Sequence, residues 1–262
     1  MKLKSFLVLF LWVFVYGGTN FAQNTENEYY EISRLIYERD LEGVKEMIES
    51  GTDVNIRKSK PGATPLIVAC GRENNDEIIS YLISSGADIN ARDRWGKTPL
   101  LYAAENSVDA LIMLLNAGAK VKVRGDVEGM TPMIAATFGY LMDDVGLAAL
   151  EILADNGADV NAALTKGDAK GFNPLLYAAV NGKHELLRFL LSNGAKPDHQ
   201  NAGGKTALML ASREGHMASA QLLLDNEARV DIEAADGSTA LSLAEERGHD
   251  AMVALLKEHG AE

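Results

Sequence analysis

Thr98-Pro99-Leu100-Leu101-Tyr102-Ala103-Ala104 is one of six copies of a single phrase in this chain of 262 residues. The others open at Thr64-Pro65-Leu66, Thr131-Pro132-Met133, Asn173-Pro174-Leu175, Thr206-Ala207-Leu208 and Thr239-Ala240-Leu241, with successive openings 34, 33, 42, 33 and 33 positions apart. An alanine follows each opening by five residues, at Ala69, Ala103, Ala136, Ala178, Ala211 and Ala244. Further on comes a Gly-Ala-like pair: Gly86-Ala87, Gly118-Ala119, Gly157-Ala158, Gly194-Ala195, Glu227-Ala228 and Gly260-Ala261. A fixed period of this length marks a stack of supersecondary units, each of which buries its apolar face only against its neighbours.

The phrase reads as the start of a helix. Proline fits the first helical turn because its missing N–H would have no intrahelical partner there, and the preceding threonine oxygen can cap the turn. The alanine five residues on must be small because neighbouring helices meet there. A second helix follows, with Ile78, Ile79, Leu82 and Ile83 at helical spacing. Gly86, Gly118, Gly157 and Gly194 fall where a helix ends in a left-handed residue. Turn-rich segments such as Ala91-Arg92-Asp93-Arg94-Trp95-Gly96-Lys97 lead into the next phrase.

A period near 33 with a T-P-L-x-x-A core resembles the ankyrin repeat. The resemblance implies an all-α solenoid of about seven helix-turn-helix units joined by hairpin-like loops. The units are expected at about 28–57, 58–91, 92–124, 125–162, 163–199, 200–232 and 233–262, forming one domain over residues 23–262. The first lacks the T-P phrase, but Asp40–Ile48 and Gly51–Asn55 match the second half of a capping unit. The fourth carries nine residues beyond the period, about five between its helices around Tyr140–Gly146 and about four around Ala163–Ala169. Such insertions map to surface loops and suit either a binding role or neutral drift.

Residues 1–22 read as a secretory signal peptide. Lys2 and Lys4 precede an apolar run from Phe6 to Tyr16, and Gly17, Gly18 and Ala22 follow. The run falls well short of the roughly 20 residues that span a bilayer. Cleavage is expected after Ala22, with Gly18 as the alternative, and the mature chain is not expected to insert in a membrane. The single cysteine, Cys70, excludes an intrachain disulfide and occupies the slot of Ala104 and Ala179, which makes it a small core filler. The chain has 25 basic and 37 acidic residues; removing the leader takes two lysines and no acid, leaving a net charge of −14. This balance argues against general affinity for nucleic acid or anionic membranes.

No catalytic set stands out. The histidines are His184, His199, His216, His249 and His259. None forms the i, i+4 pair of a metal site, and Cys/His clusters and phosphate-cradling glycine loops are missing from the sequence. His216 and His249 take the Gly-His position that, in the family resembled, ties one repeat to the next. The expectation is therefore no enzyme, no cofactor and no metal.

The family binds partners through loop tips and the exposed side of each first helix. Carried over position by position, that implies partner contacts at Lys58, Lys60, Arg72, Arg92, Arg94, Trp95, Lys97, Phe138, Lys170, Phe172, Lys205 and Arg213. Repeats two and three place six basic residues and one acid, Glu105, on this face, whereas repeat seven places Glu233, Asp236 and Glu246 against Arg247. Arginine and aromatic residues are the types that anchor interfaces. The groove reading is a basic half centred on Trp95, an aromatic middle, and a partner that is acidic opposite repeats two and three. The plainer reading makes the basic residues ordinary solvated charges and packs Phe138 and Phe172 against the inserted segments. The function expected is a monomeric protein-interaction module, exported to the periplasm or secreted, as in exported bacterial members. The alternatives are a secreted effector acting on a foreign protein, or a passive scaffold without a fixed partner.

Overall fold

The computed structural model describes residues 25–58, 62–143 and 146–262, so the leader assigned to 1–22 lies outside the described residues. Among the described residues the chain is helical, with fourteen helices and no strand. It divides into two compact units, one ending at Ala119 and one beginning at Lys120.

The first unit holds three helix pairs. They are α1 (25–38) with α2 (Leu41–Glu49), α3 (Pro65–Cys70) with α4 (Asp76–Ser84), and α5 (Pro99–Asn106) with α6 (Val108–Asn116). First helices stack on first helices and second on second: α3 lies on α5, and α4 lies between α2 and α6. The helices start as the sequence predicts. Thr64 Oγ1 accepts from Ile67 N and Thr98 Oγ1 from Leu101 N, each at 3.4 Å, with proline at the first position. Ala69 and Ala103 are fully buried, so any larger residue there would overpack the contact between helices. Cys70 is also fully buried and free, and desolvation pushes its thiol far above the ordinary range. It is a filler, as its slot implies.

The second unit repeats the plan in four pairs. These are α7 (Pro132–Asp143) with α8 (Gly146–Asp155), α9 (Pro174–Val180) with α10 (His184–Ser192), α11 (Ala207–Glu214) with α12 (Met217–Asp225), and α13 (Ala240–Glu246) with α14 (Asp250–Glu258). Here α7, α9, α11 and α13 stack in sequence, as do α10, α12 and α14. Asn173 substitutes for threonine as a cap, its Oδ1 accepting from Leu176 N at 2.9 Å. His216 Nε2 lies 3.2 Å from the Val180 carbonyl and His249 Nε2 3.0 Å from the Arg213 carbonyl, the inter-repeat ties expected of them. His199 makes a third tie of this kind, to the Gly171 carbonyl at 2.7 Å. At the end of α12, Glu227 adopts φ 65° where its counterpart Gly118 has φ 89°, so here a residue with a side chain bears the left-handed strain.

The fourth repeat departs from the expected loop. Its first helix, α7, runs for 12 residues to Asp143, against 6 to 8 in α3, α5, α9, α11 and α13. The extra residues near Tyr140 extend a helix because Tyr140-Leu141-Met142 contain neither glycine nor proline to stop it. The second insertion does form a longer hairpin loop. Leu164 N donates to Phe172 O and Gly171 N to Leu164 O, both at 2.8 Å, and Thr165 N donates to Glu128 O at 2.7 Å.

Candidate functional site

In the first unit, the loop before α5 is built around a buried carboxylate. Asp93 is 3 % exposed, and its Oδ1 accepts from the backbone N–H of Trp95 and of Lys97, both at 2.9 Å. Its Oδ2 accepts from the Tyr102 hydroxyl at 2.8 Å. Burial, and then this hydrogen bond to a carboxylate, raises the Tyr102 hydroxyl well above its ordinary range. The phenol is thus a fixed donor, and the loop is held at both its backbone and its helix side. Trp95 projects from this anchored loop with 43 % of its surface exposed. The Arg94 guanidinium lies 4.0 Å from its ring centroid. A second arginine–aromatic stack stands one repeat earlier, where Arg72 lies 3.8 Å from the centroid of the exposed Tyr37 ring. Such stacks hold arginine in place while leaving its planar donors toward solvent.

The positive charge of this face is smaller than the sequence suggests. Lys97 pairs with Glu105 at 2.9 Å, with both side chains less than a quarter exposed, and lies 4.8 Å from the Tyr102 ring. Lys58 bonds the Tyr30 hydroxyl, lies 4.6 Å from that ring and stands 3.7 Å from Glu26. Arg92 is exposed, and its carbonyl accepts from Arg57 at 2.8 Å. Lys60 lies outside the described residues. Arg72 and Arg94, each on an aromatic ring, have no carboxylate partner among the described residues.

In the second unit the aromatic residues face one another. Phe138 and Phe172 both pack on Tyr177, at centroid distances of 4.9 Å and 5.1 Å. All three are half-buried. Desolvation and then the Glu128 carboxylate raise the Tyr177 hydroxyl. Phe138 and Phe172 therefore meet on the Tyr177 ring of α9. Lys170 is exposed, and its carbonyl accepts from Ala202 N at 3.0 Å. Lys205 pairs with Asp236 at 3.2 Å and Arg213 with Glu214 at 2.7 Å, so both predicted basic contacts carry an acidic neighbour.

The site residues missed in the sequence are Tyr37, Tyr102 and Tyr177. For two of them a signal existed: α5 and α9 share the hexapeptide Pro-Leu-Leu-Tyr-Ala-Ala, which places Tyr102 and Tyr177 at one repeat position. Among the described residues, no group of three His, Cys, Asp or Glu side chains could hold a metal ion, and no helix is long and apolar enough to cross a membrane.

Paired helices, small residues at the stacking positions and exposed arginine–aromatic stacks define a helical repeat protein of the interaction type. The chain belongs to the ankyrin-repeat family: the family model for ankyrin repeats (3 copies) matches residues 32–125, 123–201 and 175–262. Ankyrin repeats are protein–protein interaction modules, typically without catalytic activity. The chain is 33 % identical over 153 residues to a mitochondrial disaggregase of Bos taurus, covering 58 % of this chain and 21 % of that one. It is 33 % identical over 177 residues to the human SH3 and multiple ankyrin repeat domains protein 2, covering 66 % and 9 %. It thus spans about a fifth or less of the length of these relatives. The ankyrin repeat domain of Bcl-3 superposes with TM-score 0.70 at 23 % identity, over 87 % of this chain and 97 % of that one. The human ASB11 ankyrin repeat domain gives TM-score 0.72 at 24 % identity, over 86 % and 96 %. At these identities the two structures speak for the fold alone.

Proposed function

We propose that the chain is a non-catalytic interaction module, exported to the cell envelope or beyond, that binds a protein partner through the first-helix and loop face of its first unit. The observation that carries this reading is Trp95, held at 43 % exposure by a loop anchored on buried Asp93 and capped by the Arg94 guanidinium. An aromatic ring positioned this rigidly loses little conformational entropy on binding, and residues of this kind dominate interface energetics. The second unit presents no comparable exposed ring among its described residues, since Phe138 and Phe172 are engaged with Tyr177. Export rests on residues 1–22 and predicts a mature chain that begins at Gln23.

The test is quantitative crosslinking of the mature protein in an envelope extract, comparing wild type with the Arg94→Ala/Trp95→Ala double variant. A reproducible partner whose capture drops at least about tenfold in the variant supports the reading. Equal capture by both proteins, or no reproducible partner, overturns it. Mass analysis of protein recovered from each cell fraction tests export separately; a full-length chain found only in the cytoplasm would overturn that part.

A further inference from the structure

A second feature of the first unit points to the chemistry of what binds there. A cleft of about 630 Å³ runs across the ends of α1, α3 and α5. Its functional lining is Tyr37, Arg39, Arg72, Glu73, Tyr102 and Asn106. Two arginines against one glutamate give this wall a sign opposite to that of the chain, whose net charge is −12. Neither arginine is neutralised: among the described residues Arg39 and Arg72 have no carboxylate partner, and the Arg72 guanidinium lies on the Tyr37 ring. The Tyr102 hydroxyl is consumed by Asp93, so its ring is what remains to face a ligand. Asn106 donates its Nδ2 to the Tyr102 carbonyl at 2.7 Å, and its Oδ1 accepts no hydrogen bond among the described residues. Gly71 lies in the same lining, and a Cβ added there would make ordinary contacts, 3.5 Å to the Ile67 carbonyl oxygen and 3.6 Å to the Tyr102 ring, so a side chain can be placed in the cleft without a clash at its root.

The cleft therefore offers two guanidinium donors, two aromatic faces and two acceptors, Asn106 Oδ1 and Glu73. A phosphate or other bare anion would satisfy the donors but would leave both acceptors without a hydrogen and would face the Glu73 charge. An extended peptide satisfies all three kinds of group. Its acidic side chain takes the arginines in a bidentate pair, its main-chain N–H groups reach the acceptors, and an apolar side chain lies against the tyrosines. The geometry points to this cleft as the docking site for an acidic, extended peptide segment of the partner, with Arg39 and Arg72 as its carboxylate clamp. This inference rests on the proposed binding function and adds residues that the Trp95 reading does not use.

The test is selection of random dodecapeptides displayed on phage against the full mature protein. Binding of the selected peptides is then measured to wild type, Arg72→Gln, Arg39→Asn, Gly71→Leu and Trp95→Ala. Asparagine is chosen at position 39 because Arg39 adopts φ 60°, a conformation asparagine tolerates. Thermal unfolding of each variant checks that it is folded, and Gly71→Leu adds bulk to the cleft while keeping both arginines of the clamp. The expected result is enrichment of aspartate and glutamate beside an apolar residue. Affinity should fall about tenfold or more in Arg72→Gln and Gly71→Leu, and weaken with added salt. Peptides that respond to Trp95→Ala alone would overturn the cleft and leave the Trp95 face standing. Peptides indifferent to every variant would overturn both. Displacement of the bound peptides by millimolar inorganic phosphate, with no acidic enrichment, would overturn the peptide in favour of a small anion.

Discussion

The same six residues, Pro-Leu-Leu-Tyr-Ala-Ala, form the core of α5 in the first unit and of α9 in the second, and their tyrosines do opposite work. Tyr102 gives its hydroxyl to a buried aspartate and so anchors the loop that displays Trp95. The Tyr177 hydroxyl has no hydrogen bond among the described residues, and its ring acts as the apolar plate on which Phe138 and Phe172 rest. The cause lies in the loops. Asp93 N donates to Lys97 O at 3.1 Å, and in the second unit the equivalent bond runs from Leu164 N to Phe172 O at 2.8 Å. A leucine, Leu164, 2 % exposed, thus stands at the register position of the aspartate. An identical helix becomes a polar anchor or an apolar one according to a single loop position. What a repeat can bind is decided by its loop, while what it stacks on is decided by its helix.

The comparison can be broken most directly at Asp93. Asp93→Ala strands two backbone N–H groups and a phenol, and should cost about 3 kcal/mol in urea unfolding while loosening the Trp95 loop. A cost below about 1 kcal/mol would mean that water replaces the carboxylate without difficulty. A smaller and sharper contrast comes from removing one oxygen. Tyr102→Phe should cost about 1.5 kcal/mol, since its bond is to a carboxylate, whereas Tyr177→Phe should fall within about 0.5 kcal/mol of wild type. Equal costs in the two variants would end the distinction between the units.

The smallest effect concerns the exposed acid of the second unit. Hydrogen bonds from the Ser238 hydroxyl and backbone, and then Lys205, lower Asp236 to about 2. The folded value lies below the ordinary aspartate value, near 3.9, so the stabilisation is present above about pH 4 and is lost as pH falls toward 2. The melting temperatures of wild type and Asp236→Asn should therefore differ slightly at pH 6 and converge near pH 2. A difference that grows on acidification would show that the carboxylate is destabilising.

Much of this was legible in the sequence because repetition multiplies each local signal. Thr64, Thr98 and Asn173 announce caps, Ala69 and Ala178 announce contacts between helices, and Gly118 announces a left-handed end, each in its own copy. The site was less legible. Trp95 and its arginine are adjacent in sequence, but Arg72 meets Tyr37 across 35 positions and Lys97 meets Glu105 across a loop and two helical turns. No period encodes such pairs, so the basic count of repeats two and three overstated the free charge. The extension of α7 escaped for the opposite reason: an insertion interrupts the period and leaves only the weak intrinsic propensity of Tyr140-Leu141-Met142.

Cys70 gives the first unit a chemical stopwatch. As the one thiol in the chain, sealed at zero exposure in α3 and held protonated by its surroundings, it is closed to a thiol reagent until the helices around it part. The labelling rate under native conditions therefore times the opening of that region alone, without any engineered probe. A ligand seated between α1, α3 and α5 would slow the watch, and one that binds only the second unit would leave it running.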